Sequence, residues 1–271
     1  MQQQIVNQRS EQWKKLRLGK FTSSKWHLFT VNSKVPGEPS AGVKTYILEL
    51  LWELISGHSN EVDTYSMKYG TEWEPFAKNE VRKRYGKMVL DADKNIVVDA
   101  NNQPIWDNNF YDLEFIQHPT FPYYGGSPDG EMNINGIPTT IETKCPTGKE
   151  HLVNIKLLKD IETCKKQWSE IYGQCQSNMQ LQGTTQALPV SFQHEAGNDL
   201  CYKDLIIPID KPYIDMVMDK MAEAWEWMKK EAEIFGVDIL AKYAEYAKPI
   251  DTGLDHLQKL EIPESHFNKP N

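Results

Sequence analysis

The dipeptide Asn135-Gly136 constrains this chain more than any other local feature. Both residues tolerate the positive φ of a two-residue hairpin turn, so the segments on either side are expected to pair as antiparallel strands. Within SPDGEMNINGIPTTIETKCP, residues 127–146, Asp129 stands at the start of the outgoing strand, and Glu142, Thr143 and Lys144 lie on the returning one. Strand side chains alternate, so Glu142 and Lys144 share a face and Thr143 is expected to point away. The reversal brings Asp129 back beside Glu142. Two carboxylates and an ammonium then converge at one point.

The segments around the hairpin read as helices, then a sheet, then helices, strands and a last helix. Helices are expected near Ser10–Leu18, from Thr22, Ser23 or Ser24 to about Phe29, along VKTYILELLWELISG up to Gly57, and from Glu72 to Tyr85. Between Lys87 and Thr143, short alternating runs and turn residues predict the sheet. Two helical stretches follow, about Lys149–Lys159 and Glu162–Gln182, then the strand-like ALPVSFQ and DLCYKDLIIPI, then a helix over Pro212–Glu233. This order predicts one α/β or α+β domain, a mixed sheet flanked by helices, which 271 residues at 39% hydrophobic content suffice to build.

No apolar run reaches the roughly 20 residues that span a bilayer, and the first residues lack the apolar core of a signal peptide, so a soluble, cytoplasmic chain is expected. Cys145, Cys164, Cys175 and Cys201 form no CxxC pair, and free thiols are the simpler reading. A net charge of -8 runs against nucleic-acid binding, which depends on Lys and Arg neutralising phosphate. Basic residues nevertheless crowd into Lys14–Lys20, Arg82–Lys87 and Lys159–Lys166, while acidic residues are abundant after 215. A basic channel and a set of solvated helix faces both fit that distribution.

The convergence of Asp129, Glu142 and Lys144 suits phosphodiester hydrolysis. Hard Mg²⁺ takes oxygen ligands, usually one or two carboxylates with phosphate and water, and the Thr143 carbonyl offers a further oxygen. The ion would activate water and neutralise charge at phosphorus, while the lysine positions the water or faces the developing charge. Taken alone, SPDG also reads as an ordinary turn and ETK as an exposed strand edge.

Five blocks in order distinguish these readings: QRSEQWKKLRLGKFTSS, MKYGTEWEPFAKNEV, GGSPDGE, IETKCP and IYGQCQSNMQL. Together they resemble the lambda exonuclease and YqaJ-type viral recombinase family of the PD-(D/E)xK nuclease superfamily, over most of residues 8–182. The resemblance implies a PD-(D/E)xK core in residues 1–235, with 236–271 as a C-terminal extension. It implies Mg²⁺, with Mn²⁺ as a substitute, bound by Asp129 and Glu142 near Glu74, with Glu72 as the rival acidic residue. Lys144 would be the motif lysine, and Gln174 would lie near the attacking water, with Gln176 as its alternative. Arg17 and Ser24, with Thr22 beside them, would hold a 5′-terminal phosphate, a role for which arginine's planar fork and a hydroxyl at a helix start are chemically apt.

As function, the resemblance implies 5′-to-3′ degradation of one strand at double-stranded DNA ends, by a homotrimeric ring that supplies a single-strand annealing protein. An endonuclease or nickase with the same metal site, and a DNA-end-binding protein without catalysis, are the alternatives. Trp13, Trp26, Trp73 and Trp168 read as core residues before they read as base-stacking platforms.

Overall fold

The computed structural model describes residues 10–59, 64–100, 102, 104–107, 110–197 and 199–248. Helix α1 (Glu11–Arg17) starts at Ser10, whose hydroxyl accepts the Trp13 amide, and leads to the short strand β1 (Phe21–Thr22). A 3₁₀ helix (Ser23–Thr30) follows, then α2 (Ala41–Ser56), closed by Gly57 at φ 77°, and α3 (Tyr65–Tyr85). The middle of the chain holds β2 (Lys87–Met88), β3 (Trp106–Asp107), β4 (Ile116–Gln117), β5 (Tyr124–Gly126), β6 (Gly130–Ile134) and β7 (Ile137–Lys144). Next come α4 (Gly148–Leu157), α5 (Ile161–Gln167), α6 (Ser169–Gln182) and β8 (Gln186–Phe192). The strands β9 (Tyr202–Asp204) and β10 (Ile207–Pro208) precede α7 (Lys211–Ile234) and α8 (Ile239–Tyr246).

The central sheet has the order β10-β8-β7-β6, with β9 also paired to β8. At its middle, β7 and β8 run parallel, whereas β6 and β7 form the antiparallel hairpin. Asn135 and Gly136 take φ of 55° and 85°, the positive values the turn requires. Gly130 faces Ile141 in this register, so Asp129 stands level with Glu142. A second sheet, β1-β5-β4, lays Thr22 beside Gly125 and so ties the N-terminal segment to the strand just before Asp129. The molecule is a mixed α/β fold with sheets flanked by helices.

Several boundaries differ from expectation. The residues between Lys87 and Thr143 do not make one sheet: among the described residues β2 and β3 pair with each other, β4 and β5 join β1, and the central sheet recruits β8 from beyond α6. Alternation reports a half-buried strand but not its partner. The Phe21–Phe29 region splits into the strand β1 and the 3₁₀ helix Ser23–Thr30, and the Thr22 side chain makes no capping bond. Helix α3 begins at Tyr65, capped by Thr64, seven residues before the expected start. Gly70 and Thr71 weaken the local helical signal, and packing overrides it. The stretch Glu162–Gln182 breaks at Trp168, which separates α5 from α6.

Three apolar clusters hold the elements together. One joins the 3₁₀ helix, α2, α7 and α8, another packs α3 on the hairpin and β8, and the third lies under α5 and α6. The ring hydroxyl of Tyr243 on α8 donates to the Gly19 carbonyl at 2.5 Å, and Tyr246 donates to the Leu54 carbonyl at 2.9 Å. Helix α6 is buried from Ile171 to Met179 although it carries Gln174, Gln176, Ser177 and Asn178. Among the described residues, no helix is long and apolar enough to cross a membrane.

Candidate active site

Hairpin register, rather than sequence proximity, assembles the acidic cluster. Asp129 Oδ2 accepts the Thr143 backbone N–H at 2.6 Å and the Thr143 hydroxyl at 2.8 Å, bonds that lock the end of β6 to β7. The expectation that Thr143 turns away is therefore corrected. Its hydroxyl reaches the neighbouring strand end, because Asp129 precedes β6 and is not bound by the pleat.

Glu142 is 1% exposed. Its Oε1 accepts from Lys144 Nζ at 3.0 Å and Gln174 Nε2 at 2.6 Å, and its Oε2 accepts from Asn178 Nδ2 at 3.0 Å. Lys144 also donates to Gln174 Oε1 at 3.1 Å, closing a ring of lysine, glutamate and glutamine. One ammonium thus serves two carboxylates. Burial first, and then the Asp129 charge, push the Glu142 carboxyl up to about 8 despite Lys144. Burial and then Glu74 raise Asp129 in the same direction, against the pull of Lys144 and the Thr143 bonds. Burial works against the Lys144 charge, but Glu142 and Asp129 outweigh it and hold the ammonium above its ordinary range. Ionising both carboxyls here would bury more negative charge than Lys144 offsets, and a bound cation would relieve that cost.

Glu74, on α3, lies at the edge of this cluster, and its charge acts on both Asp129 and Glu142. Its Oε1 pairs with the buried Lys78 Nζ at 2.7 Å, and Lys78 pairs in turn with Asp112 at 2.8 Å. Glu72 is exposed on another face of α3. Gln176, the alternative to Gln174, bonds the Pro208 carbonyl and the Asp210 amide and is committed to the fold.

Arg17 Nη1 donates to the Ser127 hydroxyl at 3.2 Å, and its guanidinium lies 4.3 Å from the centre of the Trp13 ring. The Trp13 indole N–H also donates to Ser127, at 3.1 Å. Thr22 and Ser24 hydroxyls lie 3.3 Å apart, and Thr22 meets the Tyr46 hydroxyl, whose ionisation the Arg17 charge also affects. The structure thus brings Arg17 to the loop that carries Asp129, with the Thr22 hydroxyl on the strand β1 and that of Ser24 in the first turn of the 3₁₀ helix. Trp26 is buried in the core, and Trp73 stacks on His194 with ring centres 3.5 Å apart.

Sequence reasoning missed Ser127, Lys78 and Asn178. Asn178 carried a readable signal, since it lies four residues after Gln174 and shares its helix face. Ser127 read as part of a turn, and no local signal in the sequence set Lys78 apart.

The sequence matches the family model of the YqaJ-like viral recombinase domain over residues 12–186. The chain belongs to that family. No curated protein matches it significantly. This YqaJ-family chain resembles in fold the alkaline exonuclease LHK-Exo from Laribacter hongkongensis, with a TM-score of 0.63 and 24% identity, over 84% of this chain and 96% of that one. The LHK-Exo complex with dAMP gives a TM-score of 0.64 at 24% identity, over 83% and 96% of the two chains. A phage related exonuclease from Haemophilus somnus 129PT gives 0.57 at 14% identity, over 80% and 96%. These likenesses establish for the YqaJ-family chain the PD-(D/E)xK-type fold, with its sheet and helices in a shared arrangement.

Proposed function

We propose that the protein is a divalent-metal-dependent DNA exonuclease that hydrolyses one strand of linear duplex DNA from the 5′ end, making single strands for phage-type recombination. The observation that carries this reading is the buried pair Asp129 and Glu142, which shares one lysine on the hairpin of a YqaJ-family fold.

The donor set fits a hard cation. Two buried carboxylates with raised proton affinity share a single lysine as counter-charge, and among the described residues no group of three or more His, Cys, Asp or Glu forms a metal-binding cage. Mg²⁺ keeps water and substrate phosphate among its ligands, so it needs no such cage. Asp129 and Glu142 would hold Mg²⁺, or Mn²⁺ in its place, with the Thr143 carbonyl and Glu74 at the edge of the site. Bound there, the ion supplies charge neutralisation at phosphate and a water of lowered pKa. Lys144, fixed by Glu142 and Gln174, then orients the attacking water and faces the charge that develops on the phosphoryl oxygens.

Arg17, Ser24 and Thr22 would receive the 5′-terminal phosphate, the guanidinium through paired N–H donors and the hydroxyls through single ones. The pocket would recognise an end rather than an internal phosphodiester. Release of mononucleotides agrees with the dAMP seen bound to LHK-Exo. A homotrimeric ring and an annealing partner complete the reading on family resemblance.

The test is digestion with Mg²⁺ of linear duplex DNA bearing or lacking a 5′ phosphate, beside covalently closed circular DNA. Rapid, phosphate-dependent loss of one strand with the circle intact is the expected result. Cutting of the circle would instead support an endonuclease or nickase, and binding without hydrolysis in both Mg²⁺ and Mn²⁺ an end-binding protein.

A further inference from the structure

We infer that Asn178 is a positioning residue for Glu142: its amide fixes the second carboxylate oxygen so that the pair with Asp129 is preorganised for a divalent cation. This rests on the metal reading of the site given above.

Asn178 is fully buried, yet its polar atoms are not used to hold the fold together. Its Nδ2 donates to Glu142 Oε2 at 3.0 Å, while its Oδ1 is buried without a hydrogen-bond partner. Turning the amide over would set Oδ1 against a carboxylate oxygen, acceptor against acceptor, so the carboxylate dictates the orientation. The orphaned oxygen is the cost of aiming the donor at Glu142. A residue selected for packing alone would be apolar here, as Ile171, Cys175 and Met179 are on the same helix.

The surroundings hold the amide in place. A Cβ on Gly126 would stand 2.8 Å from Asn178 Oδ1 and 2.0 Å from Ser23 Oγ, so strand β5 approaches α6 closely because it carries no side chain there. Oε1 of Glu142 has two donors, Lys144 and Gln174, whereas Asn178 is the donor on Oε2. Rotation of the carboxylate is therefore restrained at both oxygens. Removing Asn178 frees one of them and leaves the ring around Oε1 intact. Groups that orient a ligating carboxylate act on metal affinity even though they never touch the ion.

The test uses the full chain without DNA and reads Mn²⁺ binding by titration calorimetry. Asn178→Leu keeps the branched shape at a larger volume and removes both donor and orphaned acceptor, and Asn178→Ala removes them with no risk of a clash. The expected result is Mn²⁺ binding weakened by about 10- to 100-fold in both variants. The thermal midpoint of metal-free Asn178→Leu should stay within a few degrees of the parent. Unchanged Mn²⁺ affinity in either variant would overturn the proposal, as would a loss confined to Asn178→Ala that tracks its loss of thermal stability. If the parent chain itself binds no Mn²⁺, the metal reading of the site fails and this inference with it, a result distinct from failure in the variants alone.

Discussion

Replacing Glu142 by glutamine is expected to change stability by an amount that depends on pH. Burial and Asp129 raise the carboxyl from its ordinary value of 4.5 to about 8. That rise corresponds to on the order of 5 kcal/mol between the protonated and ionised forms of the folded protein. Because the folded value is the higher one, the group's contribution is fully present below pH 4.5 and is lost as pH rises through 8. Glutamine cannot ionise and escapes this loss. Against the protonated carboxyl, glutamine exchanges one O–H for a bulkier NH2 beside Lys144 and Gln174, at a cost of about 0.5–1.5 kcal/mol. The Asn178 amide can rotate so that its orphaned Oδ1 accepts the new N–H. In metal-free buffer at pH 8.5, Glu142→Gln should therefore be more stable than the parent by about 3 kcal/mol, and at pH 5 within about 1 kcal/mol of it. Urea unfolding in EDTA across this pH range measures the difference directly, and comparing the two proteins cancels the other titrating groups. A variant that is less stable than the parent at every pH would refute the reasoning, since Glu142 would then be ionised in the folded state without penalty.

Lys144→Ala should lower the turnover number by about 10²–10³-fold. Its far-UV circular dichroism should match the parent, and near-normal turnover would remove Lys144 from the reaction. Arg17→Ala should lose about 10- to 100-fold in kcat/KM on 5′-phosphorylated ends, with much less effect on 5′-hydroxyl ends, as expected for charge-assisted hydrogen bonds to phosphate. Equal losses on both ends would detach Arg17 from end recognition. Gly126→Ala places a methyl group 2.0 Å from Ser23 Oγ and should destabilise the protein by about 1–3 kcal/mol in urea unfolding.

The hairpin and the helices flanking the sheet were legible because their signals are local. Asn135-Gly136 meets the φ requirement of its turn wherever the chain goes, and the apolar spacing in α2 marks its buried face from the sequence alone. Glu142 and Lys144 share a face by the period of the strand, and Asp129 is returned to them by the length of the hairpin. The start of α3 and the break at Trp168 were not legible, because packing sets them against weak local preferences.

By itself the sequence determined which side chains carry charge, which of them lie on one strand, and where the chain must reverse, all of which follow from backbone dihedrals and side-chain period. Only the tertiary structure decided that the parallel pairing of β7 with β8 brings α6 across the hairpin, so that Gln174 and Asn178 meet Glu142, and that Thr143 turns to Asp129. It likewise decided that Arg17 reaches Ser127, 110 residues along the chain, and that Lys78 rather than solvent faces Glu74. Such contacts depend on how separate elements pack once apolar surface is buried. No local preference along the chain encodes them.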